Sequence, residues 1–250
     1  MPYADNNGVR IHFQLEGEGQ PLVLQHGFTD SLETWYELDY VDALKREHQL
    51  ILVDARGHGA SDKPHDTSAY SNEARATDVA SVLRALAIPR ADYMGYSMGG
   101  CIAYSLAQYV PECVHRLIIG GNGAQGRSRI GDRLLAGLRA GGAEGIPALW
   151  GAPLPPTLMA RLRKNDVEAL MASRVDALGF SDVLPTMTMP CLLYVGDADS
   201  EYPLVQQTVA EMPNATFFTL PGLGHAEAYL RSDLVLPRVL DFLKSTRAAD

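Results

Sequence analysis

Short, almost continuous apolar runs alternate with stretches of helical periodicity along most of this 250-residue chain. Residues 21–25, 49–53, 116–119 and 191–195 are such runs, each closed by a turn signal. Unbroken runs of that length read as strands buried on both faces, the habit of parallel sheets. Residues 214–220 add a strand rich in aromatic and β-branched side chains. Residues 10–15 alternate apolar with polar, which suits an antiparallel edge. Between the strands, Val79, Val82, Leu83 and Leu86 follow i, i+3, i+4, i+7 spacing. Val235, Val239, Leu240 and Leu243 repeat that stripe, with Ser232 as an N-cap. Alternation of this kind builds βαβ units and predicts an α/β fold, a doubly wound sheet with helices on both faces.

One stretch breaks the rhythm. From 125 to 185 the chain reads as helices interrupted by Gly141-Gly142 and by Gly151-Ala152-Pro153-Leu154-Pro155-Pro156. Ile130, Leu134, Leu135 and Leu138 form one stripe there, and Leu158, Leu162, Leu170 and Met171 suggest more. The predicted organisation is a core of residues 1–124 and 186–250 with a helical insertion at 125–185, either a cap over a site or a peripheral bundle. With 21 basic and 30 acidic side chains, the net charge of −9 argues against nucleic acid or anionic membranes as partners. No apolar run approaches the ~20 residues of a membrane span. The first residues carry neither a basic nor an apolar leader pattern. Cys101, Cys113 and Cys191 include no close pair, which speaks against a disulfide framework or thiolate metal site and for a reducing compartment. A soluble cytoplasmic protein is expected.

The sharpest chemical signal is Gly95-Tyr96-Ser97-Met98-Gly99, placed between the strand-like 91–94 and an apolar helix that stops before Pro111. Strand, G-x-S-x-G, helix is the setting in which this motif presents a nucleophilic serine on a tight, strained turn. A serine hydroxyl needs a base near neutral pH. Of the seven histidines, His225 lies in a Gly-rich loop after the last strand, and loops at the carboxyl ends of strands are where open α/β sheets bind ligands. His26 reads as a loop-ordering residue and His58 as turn architecture. An acid must fix the tautomer of the base. Asp197 and Asp199 both follow the 191–195 strand, between Ser97 and His225, in the order Ser, Asp, His. Backbone N–H groups must hold the oxyanion. Met98, after the serine, is one donor, and Phe28, in the loop after residues 21–25, is the other.

With these residues in place the chain resembles the α/β-hydrolase fold family over nearly its whole length. His26-Gly27-Phe28 resembles its oxyanion loop, residues 54–64 its signature turn, 95–99 its nucleophile elbow, Gly196-x-x-Asp199 its acid loop and Gly224-His225 its histidine loop. The resemblance implies an eight-stranded, mostly parallel sheet with an inserted helical cap. It favours Asp199 over Asp197 as the acid. Some relatives carry the acid after strand six, where this chain has Gly120-Gly121-Asn122-Gly123 and no carboxylate. By resemblance, haloalkane dehalogenases and epoxide hydrolases use aspartate at the elbow, so Ser97 implies acyl chemistry. Ser97 would attack, His225 would move the proton, Asp199 would orient it, and Phe28 and Met98 would hold the oxyanion, with no metal or organic cofactor called for.

The implied function is hydrolysis of a small or medium carboxylic ester. Lactone or enol-lactone opening, carbon–carbon bond hydrolysis and cofactor-free perhydrolysis share the triad, although Phe28 stands where a perhydrolase resembles a Trp-containing loop. A slow-turnover ligand sensor is the alternative outside metabolism. Trp35, Trp150 and Tyr229 are the aromatic residues expected to line the substrate pocket, beside Phe28 and Met98.

Overall fold

The computed structural model describes residues 2–125, 129–145, 156–174 and 179–245. Its strands are β1 (Tyr3–Asn6), β2 (Val9–Glu16), β3 (Gln20–Gln25), β4 (His48–Val53), β5 (Ala91–Tyr96), β6 (Val114–Gly120), β7 (Cys191–Gly196) and β8 (Ala215–Leu220). They form one sheet in the order β1-β2-β4-β3-β5-β6-β7-β8. The first two pairings, β1 with β2 and β2 with β4, are antiparallel, and every pairing from β4 to β8 is parallel. Among the described residues the α-helices are α1 (Glu33–Glu37), α2 (Tyr40–Leu44), α3 (Asn72–Ala85), α4 (Met98–Tyr109), α5 (Arg129–Gly141), α6 (Pro156–Leu162), α7 (Val167–Ala172), α8 (Tyr202–Glu211), α9 (His225–Leu230) and α10 (Ser232–Ser245).

Alternate strand residues feed opposite faces, and this explains the apolar runs. Val23, Ile51, Tyr93, Ile119 and Leu193 join one core with Val79 and Val82 of α3 and Ile102 and Leu106 of α4. Their neighbours Leu22, Leu24, Leu50, Leu52, Met94, Ile118 and Leu192 join a second core with Trp35, Tyr40 and Val239. The antiparallel edge is one strand further out than the sequence predicts. Residues 10–15 lie within β2, and β1 forms the edge through a two-residue turn, Asn7-Gly8, with φ of +55° and +84°. Both positive angles match the hairpin turn that follows the right-handed strand twist. At four residues, β1 is too short to display an alternation.

Between β6 and β7, Leu134, Leu138, Leu162 and Leu170 form a small core of their own, against which Phe28 packs. Met171, expected beside Leu170, is exposed: α7 has six residues and turns only one side inward.

The sheet is stapled to α10 by a buried cation. Arg116 donates from Nε and Nη2 to the two carboxylate oxygens of Asp92, each at 2.7 Å, and from Nη1 to the Leu243 carbonyl at 2.9 Å. Both side chains are within 1% of full burial. Removing the arginine leaves the buried Asp92 carboxylate with His115 Nδ1, 3.0 Å from Oδ1, beside it but without the guanidinium, and breaking such a buried pair costs about 3–5 kcal/mol. Arg116→Met should therefore lower the unfolding free energy by that amount in urea titration. A loss under about 0.5 kcal/mol, the range of ordinary surface substitutions, would contradict this account.

Candidate active site

The parallel strands all point one way, so the loops after β3, β5, β7 and β8 gather at one end of the sheet. Ser97 leaves β5 there with φ +53° and ψ −107°, a region normally left to glycine at the first corner of a tight turn. Two glycines make the turn possible by close approach. A Cβ on Gly95 would meet the Gly99 carbonyl oxygen at 2.3 Å, and one on Gly99 would meet the Gln25 carbonyl oxygen at 2.2 Å. With both absent, α4 begins directly at Met98 and sits against the end of β3. Its amino terminus then directs its partial positive charge toward the space beside Ser97.

His225 opens α9. Its Nε2 is 2.9 Å from Ser97 Oγ, and its Nδ1 is 2.7 Å from Asp199 Oδ2. The Asp199 side chain is fully buried, and its other oxygen accepts the Glu201 N–H at 2.9 Å. Of the two candidate aspartates, only Asp199 meets the histidine. Asp197 accepts the Gly222 N–H at 2.7 Å and so braces the turn after β8. The arrangement suits an imidazole that donates from Nδ1 to the carboxylate and accepts at Nε2 from the serine hydroxyl.

The loop carrying Phe28 lies against the serine. A Cβ on Gly27 would come 3.8 Å from Ser97 Cβ. His26, with no exposed surface, holds this loop from the core side. Its Nδ1 meets the Gly27 carbonyl at 2.8 Å, and its Nε2 accepts the Ala55 N–H at 3.1 Å. The Phe28 ring stands edge-on to His58, 5.6 Å between centroids. Burial, assisted by the neighbouring His26, pushes His58 down to about 3, so a neutral ring packs there. Asp54 anchors the signature turn. Burial works to raise its pKa, but the bond to His12 and the nearby His26 outweigh it and hold the carboxyl low.

Tyr96 is a residue that the sequence reading leaves as the variable position of the elbow. Its hydroxyl donates to the His225 carbonyl at 2.7 Å, and its ring stacks on Tyr229 at 4.4 Å. Burial lifts its phenol well above the usual value, so it remains a neutral donor. Gly121, at φ +60°, leaves room for this: a Cβ there would approach Tyr96 Cζ to 2.7 Å and His225 Cε1 to 3.1 Å. Tyr229, expected to line the pocket, thus stacks on the ring whose hydroxyl holds the His225 carbonyl. Trp35 is wholly buried in the second core, edge-on to Tyr40 and Tyr229, and reaches no surface. Trp150 lies outside the described residues. Among the described residues no group of three or more His, Cys, Asp or Glu side chains could hold a metal ion, and no helix is long and apolar enough to cross a membrane.

A family model for the alpha/beta hydrolase fold matches residues 20–133, which contain β3, the Phe28 loop and the elbow. The solved enol-lactonase of Burkholderia xenovorans LB400 superimposes with a TM-score of 0.85 at 24% identity, over 97% of this chain and 100% of that one. The chain has the α/β-hydrolase fold. Another solved hydrolase-fold structure, Est816, an N-acyl homoserine lactone degrading enzyme, is 25% identical with a TM-score of 0.81, over 96% of this chain and all of its own. In sequence, a Bacillus subtilis protein carrying the name 2-succinyl-6-hydroxy-2,4-cyclohexadiene-1-carboxylate synthase is 28% identical over 270 residues, 96% of this hydrolase-fold chain and 97% of that protein. At this level the comparisons support an enzyme of the hydrolase kind.

Proposed function

We propose that this protein is a serine hydrolase that cleaves a small or medium carboxylic ester through an acyl-enzyme on Ser97. The observation that carries the reading is the unbroken chain of short contacts from Ser97 Oγ through His225 to the buried Asp199 carboxylate. His225 Nε2 takes the hydroxyl proton as Ser97 Oγ bonds to the ester carbonyl carbon. The oxygen that becomes negative is held by the N–H groups of Phe28 and Met98, each such donor being worth about 3–4 kcal/mol in related chemistry. The tetrahedral intermediate collapses, and His225 gives its proton to the departing alkoxide oxygen. Water then repeats the sequence on the acyl-enzyme: His225 takes its proton, the acid leaves, and Ser97 Oγ recovers a hydrogen. Asp199 keeps Nδ1 protonated throughout and stabilises the imidazolium. The helices within 125–185 act in this reading as a cap on the core of 1–124 and 186–250.

Lactone opening is the second reading, favoured by the likeness to Est816, which degrades N-acyl homoserine lactones. It uses the same steps with the leaving oxygen tethered to the acyl group. One experiment separates the two. Steady-state hydrolysis is measured on p-nitrophenyl esters from two to about twelve carbons and on an N-acyl homoserine lactone. The expected result is multiple turnover of esters at above about 1 s⁻¹, in the range of ordinary enzymes, with an optimum chain length that sizes the pocket. A folded protein that opens the lactone but leaves every ester intact would replace the ester reading. One that turns over neither would remove both.

A further inference from the structure

The loop that carries the Phe28 N–H is held from two sides, and the second side is the insertion between β6 and β7. Immediately after Phe28, Thr29 is a β-branched residue at φ +69°, a strained conformation that persists only where its surroundings impose it. Its carbonyl accepts a hydrogen bond from Asn165 Nδ2 at 2.8 Å. Asp30, next in the chain, forms an ion pair with Arg161 near the end of α6. The same guanidinium donates to Thr34 Oγ1 and reaches Glu37 of α1. The Arg161 and Asp30 side chains are 12% and 9% exposed, so this is a mostly buried pair whose geometry matters. The Phe28 ring, in turn, packs on the leucine cluster of α5–α7 and lies under the Arg174 guanidinium, 5.6 Å from its centroid. His26 thus fixes the loop before Phe28 to the core, while Arg161 and Asn165 fix it after Phe28 to the insertion.

We propose that Arg161 and Asn165 are positioning residues that hold the Phe28 N–H in place for the oxyanion, so that the insertion completes the catalytic apparatus as well as covering it. This rests on the reading of Ser97 as an acyl-transfer nucleophile. A donor set on a strained loop loses its alignment when one strut is removed, and a displacement of about 1 Å can cost about 100-fold in rate. The interaction is made with the charge of the transition state, so the loss falls on kcat rather than on KM.

The test uses the full chain with Asn165→Leu, Arg161→Met and Arg161→Lys, together with His65→Ala as a control. His65 makes an exposed contact between core and insertion, to Asp166 and Glu168, away from the bonds that Arg161 and Asn165 make to residues 29 and 30. On the best p-nitrophenyl ester, Asn165→Leu and Arg161→Met should lower kcat by about 10- to 100-fold with KM within about 2-fold. Inhibition by a trifluoromethyl ketone, whose adduct with the serine carries an oxyanion, should weaken by the same factor. Arg161→Lys should recover part of the loss, and His65→Ala should leave all three constants unchanged. A rise in KM at constant kcat, or unchanged kcat and ketone affinity in folded variants, would overturn the proposal. A readout without turnover stands beside these. The chain has six phenylalanines, so 15N-phenylalanine labelling leaves few amide resonances. The Phe28 signal should shift or broaden in Asn165→Leu and Arg161→Met while staying put in His65→Ala, and an unmoved signal would also overturn the proposal. Failure of the Ser97 reading looks different: a wild type that neither turns over esters nor reacts at Ser97 with a fluorophosphonate.

Discussion

Ser97→Ala should remove turnover, by about 10⁵- to 10⁶-fold, while leaving a folded protein whose melting temperature is close to that of the wild type. In the proposed mechanism the size follows from the loss of the atom that forms the acyl-enzyme. In enzymes of this type, removal of the nucleophile alone costs about as much as removal of the whole triad. The tolerance follows from the backbone. At φ +53° and ψ −107°, alanine carries the same Cβ as serine and meets the same strain, so the elbow gains and loses little. Ser97→Gly makes the complementary case. Glycine adopts this conformation without a Cβ clash, so that variant should be equally inactive and melt at a higher temperature. The expected gain is up to about 2 kcal/mol, since strain of about 1–3 kcal/mol is released against about 0.5–1 kcal/mol for the greater chain entropy of glycine. Steady-state rates and thermal melts of the three proteins check both parts. A folded Ser97→Ala that retains more than about one per cent of wild-type activity would end the acyl-enzyme reading. A Ser97→Gly less stable than Ser97→Ala would show that the elbow stores less strain than the entropy of glycine costs, about 0.5–1 kcal/mol.

The same local character of the elbow explains why it could be read from sequence while other parts of the site could not. Gly95, Ser97 and Gly99 lie within five residues, and the reason for each glycine is a backbone atom nearby, so motif and cause coincide. The central strands were legible for a related reason. Leu22 and Val23, or Leu192 and Leu193, face opposite cores, and a strand apolar on both sides looks like nothing else of that length. The choice between Asp197 and Asp199 had no such local signature. Both leave the same strand, and what separates them is that one faces Gly222 and the other His225, a consequence of where the β8 loop returns. Tyr96 is in the same position: its bond to the His225 carbonyl spans 129 residues. Arg161 and Asn165 lie in a stretch whose helical periodicity predicts a buried leucine stripe, and a stripe says nothing about which polar residues at its rim touch the Phe28 loop. Residue spacing thus exposes what a segment does to itself. Contacts between loops at the end of a sheet require the sheet.

Asp199→Asn should lower kcat by about 10⁴-fold at neutral pH, with KM little altered and the fold intact. Asparagine is nearly isosteric with aspartate, so the buried pocket and the bond from the Glu201 N–H to the side-chain oxygen can both persist. What changes is the partner of His225 Nδ1, 2.7 Å away. An amide can present its NH₂ to that nitrogen, and the ring then takes the tautomer protonated at Nε2. In that tautomer Nε2 has no lone pair for the Ser97 proton, and the serine at 2.9 Å faces a donor instead of a base. The charge that stabilises the imidazolium is lost as well. Asp197→Asn supplies the contrast. Its oxygen can still accept the Gly222 N–H, and its distance from the histidine leaves the tautomer alone, so kcat should change less than about 10-fold. Measured together, the pair tests position rather than charge, because both variants remove one carboxylate from the same loop. If Asp197→Asn proves the inactive one, the acid has been assigned to the wrong residue. If neither loses more than about 10-fold, His225 works without a carboxylate partner, and the contact at Nδ1 serves the fold alone.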